Sequence, residues 1–90
     1  MSEGWTPRRI DIIWSAEARA ELRAIGRDKA RQILLCLHRY LLSRAGDVKK
    51  LKPPLTGFRL RCGDYRVFFD EVDENAVGIT SVKHRREAYR

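Results

Sequence analysis

Apolar residues recur along this chain with two different periods, and the periods lay out its elements. Residues 1–9 carry no period and read as a loose arm. From Arg9 to Trp14 the run R-I-D-I-I-W alternates enough, with β-branched and aromatic residues, to predict a strand. Ser15 offers an N-cap oxygen, and Glu17 falls in the first helical turn, where the helix dipole favours a carboxylate. Ala18, Leu22 and Ile25 then lie at i, i+4 and i+7 on one helical face, and Gly26 is a natural C-cap. Asp28 is expected to cap a second helix. Ile33, Leu34, Leu37, Tyr40, Leu41 and Leu42 form its broad apolar stripe, and Gly46 ends it. With so short a break between them, the two helices read as an antiparallel hairpin.

Pro53-Pro54 excludes regular structure at that point. Three strand-like runs follow. Phe58-Arg59-Leu60-Arg61 alternates apolar and basic, and Gly63-Asp64 marks a turn. Tyr65 to Val72 is aromatic and β-branched. Asp73-Glu74-Asn75 marks a second turn before Ala76 to Val82. His84 to Arg90 reads as a short polar end. The order strand, helix, helix, strand, strand, strand predicts an α+β domain: an N-terminal strand, an antiparallel two-helix hairpin, then a three-stranded antiparallel sheet covered on one face by the helices. Leu22, Ile25, Leu34, Leu37 and Leu41 are its expected core. A chain of 90 residues fits a single domain, residues 1–90, with no repeats or linkers.

Charge sharpens the picture. Lys and Arg number 19 against 12 Asp and Glu, a net of +7. The excess is clustered: residues 49–66 hold six cations against the single acid Asp64, and residues 83–90 hold four against Glu87. Clustered positive charge predicts an anionic partner. Cys36 and Cys62 are not in a C-x-x-C, and with His38 and His84 they make no metal-ligand spacing, so no metal or cofactor is expected. The cysteines read as small apolar residues rather than as a disulfide. No apolar run approaches a membrane span and no secretory segment is evident, so the expected location is the cytoplasm.

Two constellations could carry chemistry. In a strand, Arg59 and Arg61 point to one face and Phe58 and Leu60 to the other, and Arg66 begins the next strand across a tight turn. Guanidinium groups so arranged accept phosphates bidentately, although a basic edge also serves simply to discourage sheet pairing. The second is Lys83-His84-Arg85-Arg86-x-x-Tyr89. It supplies a proton-transfer group, a charge stabiliser and a phenol, or else an incidental histidine in a polar tail. His38 lies mid-helix beside leucines and reads as a packed or half-exposed histidine rather than a catalyst. Glu17, Arg19, Glu21 and Arg23 read as the solvated face of the first helix.

The segments VKKLKPPLTGFRLRCGDYRVFF and ITSVKHRREAYR together resemble the RelE/ParE superfamily of bacterial and archaeal type II toxins, and the likeness covers nearly the whole chain. It implies a RelE-like, microbial-ribonuclease-like fold and a neutralising, acidic antitoxin. Members similar to RelE cut messenger RNA, commonly on the ribosome, leaving a 2′,3′-cyclic phosphate. By this resemblance Arg59 and Arg61 hold the RNA backbone, with Lys49, Lys50, Lys52 and Arg86 extending the RNA-binding set. Arg66 and Arg85 stabilise charge on the scissile phosphate, and His84 and Tyr89 match the remaining catalytic positions. The expected activity is a metal-independent endoribonuclease. Two alternatives share the fold: a non-enzymatic inhibitor of DNA gyrase similar to ParE, and an RNA- or ribosome-binding module without turnover.

Overall fold

A computed structural model describes residues 10–88; the expected N-terminal arm and Tyr89 lie outside the described residues. The elements are β1 (Asp11–Trp14), α1 (Ala16–Ile25), α2 (Arg27–Ser43), β2 (Val48–Lys50), β3 (Phe58–Cys62), β4 (Tyr65–Asp73), β5 (Ala76–His84) and α3 (Arg85–Ala88). The strands form one sheet in the order β1-β5-β4-β3-β2. The α+β class is as expected, with the helices packed on one face.

Local chemistry sets the first turns. Ser15 Oγ accepts a bond from Ala18 N at 3.0 Å, capping α1, and donates to the Thr80 carbonyl at 2.9 Å, tying the strand-to-helix break to β5. Gly26, at φ 103°, both ends α1 and begins α2. The cap of α2 is therefore Gly26 rather than Asp28, which lies in its first turn.

The core lies between the helices and the sheet. Leu60, Val67 and Val82 form one cross-strand row, and Phe58, Phe69 and Ile79 form the next. Ala18 of α1 and Ile33, Leu37, Tyr40 and Leu41 of α2 close over them. Phe69 stacks on Phe58 with ring centroids 5.5 Å apart and meets Tyr40 at 5.9 Å. Leu22 and Ile25 pack partly buried against this core, and Leu34 is half-buried. Leu42 is exposed, so the apolar stripe of α2 is narrower than its sequence suggests.

Four further features differ from the sequence reading. β1 pairs with β5 in parallel, so the sheet is mixed; alternation sorts faces and carries no strand direction. Val48–Lys50 adds a fifth strand on the far edge, too short for a period of two to show, and lysine-rich in the manner of edge strands. Residues 85–88, read only as part of a short polar end, form a helical turn. Finally, Cys36 and Cys62 are joined in a disulfide with Cα atoms 5.9 Å apart. They are distant in sequence, but Cys62 follows Leu60 on the helix-facing side of β3, and Cys36 lies one turn beyond Ile33.

Gly57, just before β3, has φ 93° and no room for a side chain. A Cβ there would lie 2.6 Å from the Phe69 carbonyl oxygen, which is backbone and cannot step aside. Gly57→Ala is expected to destabilise the fold by about 1–3 kcal/mol, measured by denaturant unfolding. A change below ~0.5 kcal/mol would show that this approach is looser than described.

Candidate functional site

Residues opposite one another in antiparallel strands share a face. Next to the Leu60 row, Arg61, Arg66 and Lys83 form a row on the side turned away from the helices. Two residues earlier on β3, Arg59 pairs with Lys49 on that same side. Lys49, Arg59, Arg61, Arg66 and Lys83 thus share one face.

Arg59, Arg61, Arg66 and Arg85 would all face solvent if they formed one open phosphate-binding surface, but their exposure differs. Arg61 is exposed, with a loose ion pair of 3.8 Å to Asp47. Arg59 is half-buried, and Arg66 is buried, only 4% exposed. Arg66 Nη1 donates to the Gly63 carbonyl at 2.8 Å and to the Tyr65 carbonyl at 3.0 Å, holding its guanidinium against the β3–β4 turn. Arg85 is fastened to the same turn: its backbone N–H donates to the Asp64 carbonyl at 2.7 Å, and its Nε lies 4.0 Å from Asp64 Oδ1. Two arginines far apart in sequence are therefore anchored on consecutive residues, Gly63 and Asp64.

His84 sits elsewhere. It shares the row of Cys62 and Tyr65, on the helix side of the sheet, with its ring edge-on to Tyr65 at 5.3 Å. It lines a cleft of about 350 Å³ with Glu21, Ala24, Ile25, Tyr65, Val82 and Glu87. His84 Nδ1 accepts the Arg86 backbone N–H at 3.2 Å, which leaves Nε2 to carry the proton of the neutral ring. The exposed Arg86 is not on the basic row. Neither are Lys50, which pairs with Phe58, and Lys52, which lies beyond β2.

Lys83 is held by two carboxylates of α1. Its Nζ contacts Glu21 Oε2 and lies 3.6 Å from Glu17 Oε2. The hydrogen bond to Glu21 raises its pKa above 10.5, with charge attraction to Glu21 and Glu17 in the same direction and desolvation opposing. A cation with a raised folded-state pKa stabilises the fold below its unfolded pKa, and that contribution is lost as pH rises through the higher value. Glu21→Gln should therefore lower stability at neutral pH, with the gap to wild type closing only above about pH 10.5. The effect is modest because solvent screens the pair. A gap that persists unchanged at alkaline pH would assign the loss to something other than the ion pair.

Glu21 is thus not the plain solvated residue its spacing suggested, whereas Glu17 is exposed as expected. Asp64 and Tyr65 carry no role in the sequence reading, yet Asp64 holds Arg85 and Tyr65 packs against His84.

The family model for the ParE toxin of type II toxin–antitoxin systems, parDE, matches residues 12–89. The chain belongs to this family. It is a toxin of a type II toxin–antitoxin system, within the RelE/ParE superfamily. The toxin is similar to a chain of the RelBE2 toxin–antitoxin complex of Mycobacterium tuberculosis, at 29% identity and TM-score 0.69, covering 86% of this chain and 99% of that one. It is similar to the YoeB dimer of Staphylococcus aureus at 27% identity and TM-score 0.67, covering 84% and 97%. The RelB–RelE antitoxin–toxin complex of Methanococcus jannaschii, at 21% identity, TM-score 0.67 and coverage of 86% and 94%, shares the fold. No curated protein matches the toxin significantly.

Proposed function

We propose that the toxin is an endoribonuclease that cleaves messenger RNA on the ribosome, without a metal ion. The observation that carries this reading is the anchoring of Arg66 and Arg85 on one turn, at the end of a basic sheet face. The RNA 2′-oxygen attacks its neighbouring phosphorus and loses its proton. The bond from phosphorus to the 5′-oxygen breaks, and that oxygen takes up a proton, leaving a 2′,3′-cyclic phosphate and a 5′-hydroxyl. Arg66 and Arg85 stabilise the charge gathered on the phosphorane, since a guanidinium stays charged and grips two oxygens. His84 or Tyr89 handles a proton. Lys49, Arg59 and Arg61 hold the backbone of the RNA, with Lys50, Lys52 and Arg86 as outlying contacts. His84 is the last residue of β5 and Arg85 follows it, so this reading places the scissile phosphate at the end of the sheet, beside Gly63-Asp64.

A toxin of net charge +7 also suits an acidic antitoxin that folds over it and masks the basic face in the cytoplasm.

A second reading is inhibition of DNA gyrase without catalysis. The ParE description of the family favours it, as does the row of His84, which lies across the sheet from that of Arg66. Mapping RNA ends after controlled expression separates the two. New ends within translated codons are expected, together with cleavage of ribosome-bound RNA that persists in chelator. Intact RNA with DNA-damage signalling would establish the gyrase reading, and arrest with neither would leave an RNA- or ribosome-binding module.

A further inference from the structure

β1 stops at Trp14, opposite Ile79, whereas β5 continues to His84. Among the described residues, no strand lies beside the outer edge of β5 along residues 80–84. Such an edge leaves backbone groups without ladder partners and the segment free to shift. Side chains at and after the start of α1 take the place of the missing strand. Ser15 Oγ donates to the Thr80 carbonyl, and Glu21 Oε1 accepts the Val82 backbone N–H at 2.8 Å. The other oxygen of Glu21 holds Lys83 Nζ. One carboxylate therefore bonds two consecutive residues, and the next two in the chain are His84 and Arg85.

We propose that Glu21 is a positioning residue for the site: it substitutes for the strand that β1 does not supply and fixes the direction in which His84 and Arg85 leave the sheet. The clamp itself is structural, and the consequence for turnover rests on the endoribonuclease reading. Arg85 is held from its other side by Asp64, so Glu21 and the Gly63-Asp64 turn bracket the segment. A displacement of about 1 Å in such a group can cost on the order of 100-fold in rate.

The test compares the full-length toxin with Glu21→Ala, Glu21→Gln and Val48→Ala, the last a mild destabilisation at the far edge of the sheet. Amide exchange at Val82 and cleavage of ribosome-bound RNA at saturating toxin are both read. Glu21→Ala should speed Val82 exchange and lower the saturating rate about 10- to 100-fold, with little change in half-saturation. Glu21→Gln keeps an acceptor for Val82 and should stay within about threefold of wild type in rate, a change below the ~1.4 kcal/mol that a tenfold loss represents. Val48→Ala should leave both readouts unchanged. If Glu21→Ala leaves Val82 protected, or exposes it with no fall in rate, the proposal is overturned. A Glu21→Gln defect as large as that of Glu21→Ala would also overturn it, by assigning the effect to charge alone. If the wild-type toxin cuts no RNA, the endoribonuclease reading fails by itself. The clamp is then judged by Val82 exchange and growth arrest: arrest relieved by Glu21→Ala and kept by Glu21→Gln sustains it, and equal arrest refutes it.

Discussion

Reduction of the Cys36–Cys62 bond should remove about 3–4 kcal/mol of stability from the toxin. The two residues are separated by 26 positions, and cross-linking a loop of that size restricts the unfolded chain by about this much. For a domain of this length the loss corresponds to a fall in Tm on the order of 15–25 °C. Much of what stability a small core provides is at stake, because domains of this size are stabilised by only about 5–15 kcal/mol in total. Thermal unfolding with and without a thiol reductant measures the effect, alongside the Cys36→Ser/Cys62→Ser double variant, which should match the reduced protein. The oxidised toxin should also be lighter than the reduced one by two hydrogens. A Tm that moves by less than about 4 °C would place the stabilisation below ~1 kcal/mol and contradict this account.

The second large effect concerns Arg66. Arg66→Ala should lower single-turnover cleavage of ribosome-bound RNA by about 10²–10³, and added ribosomes should not rescue it. Arg59→Ala should be rescued by concentration, since a backbone contact positions substrate without stabilising the transition state. Arg66 also donates to the Gly63 and Tyr65 carbonyls, so its removal disturbs the turn that holds Arg85. Arg66→Lys separates the two roles: it keeps a positive charge but loses the planar fork. Folding of each variant is checked by thermal unfolding. If Arg66→Ala and Arg66→Lys both fold and cleave at the wild-type rate, Arg66 has no part in the chemistry.

Much of the fold was legible from period alone. Ala18, Leu22 and Ile25 announce the inner face of α1, and the alternation of Phe58 to Arg61 places Leu60 inside and Arg59 and Arg61 on the other face. What period cannot carry is pairing between distant segments. The parallel register of Asp11–Trp14 against Ala76–Ile79, the meeting of Cys36 with Cys62, and the reach of Glu21 to Val82 are all of that kind. The burial of Arg66 was hidden for a related reason. Alternation assigns a side chain to a face, and here that face carries an arginine whose donors turn back onto the adjoining turn. Glu21 looked like a solvated residue because its role depends on β1 ending one strand-length early, which no pattern within α1 records.

The pairing of β1 with β5 also sets a schedule. The first strand of the toxin finds its partner only when residues 76–79 have been made, and the core row of Leu60 and Val67 is completed only by Val82. Contacts between the two ends of a chain form late, after the long intervening loop has been closed. During synthesis α1 and α2 emerge first and have no sheet to cover. A ribosome making this protein therefore carries an unfinished fold until almost the whole described chain is out, and the turn that anchors Arg66 gains Arg85 last. The two arginines are therefore brought to one turn only once Arg85 has been made.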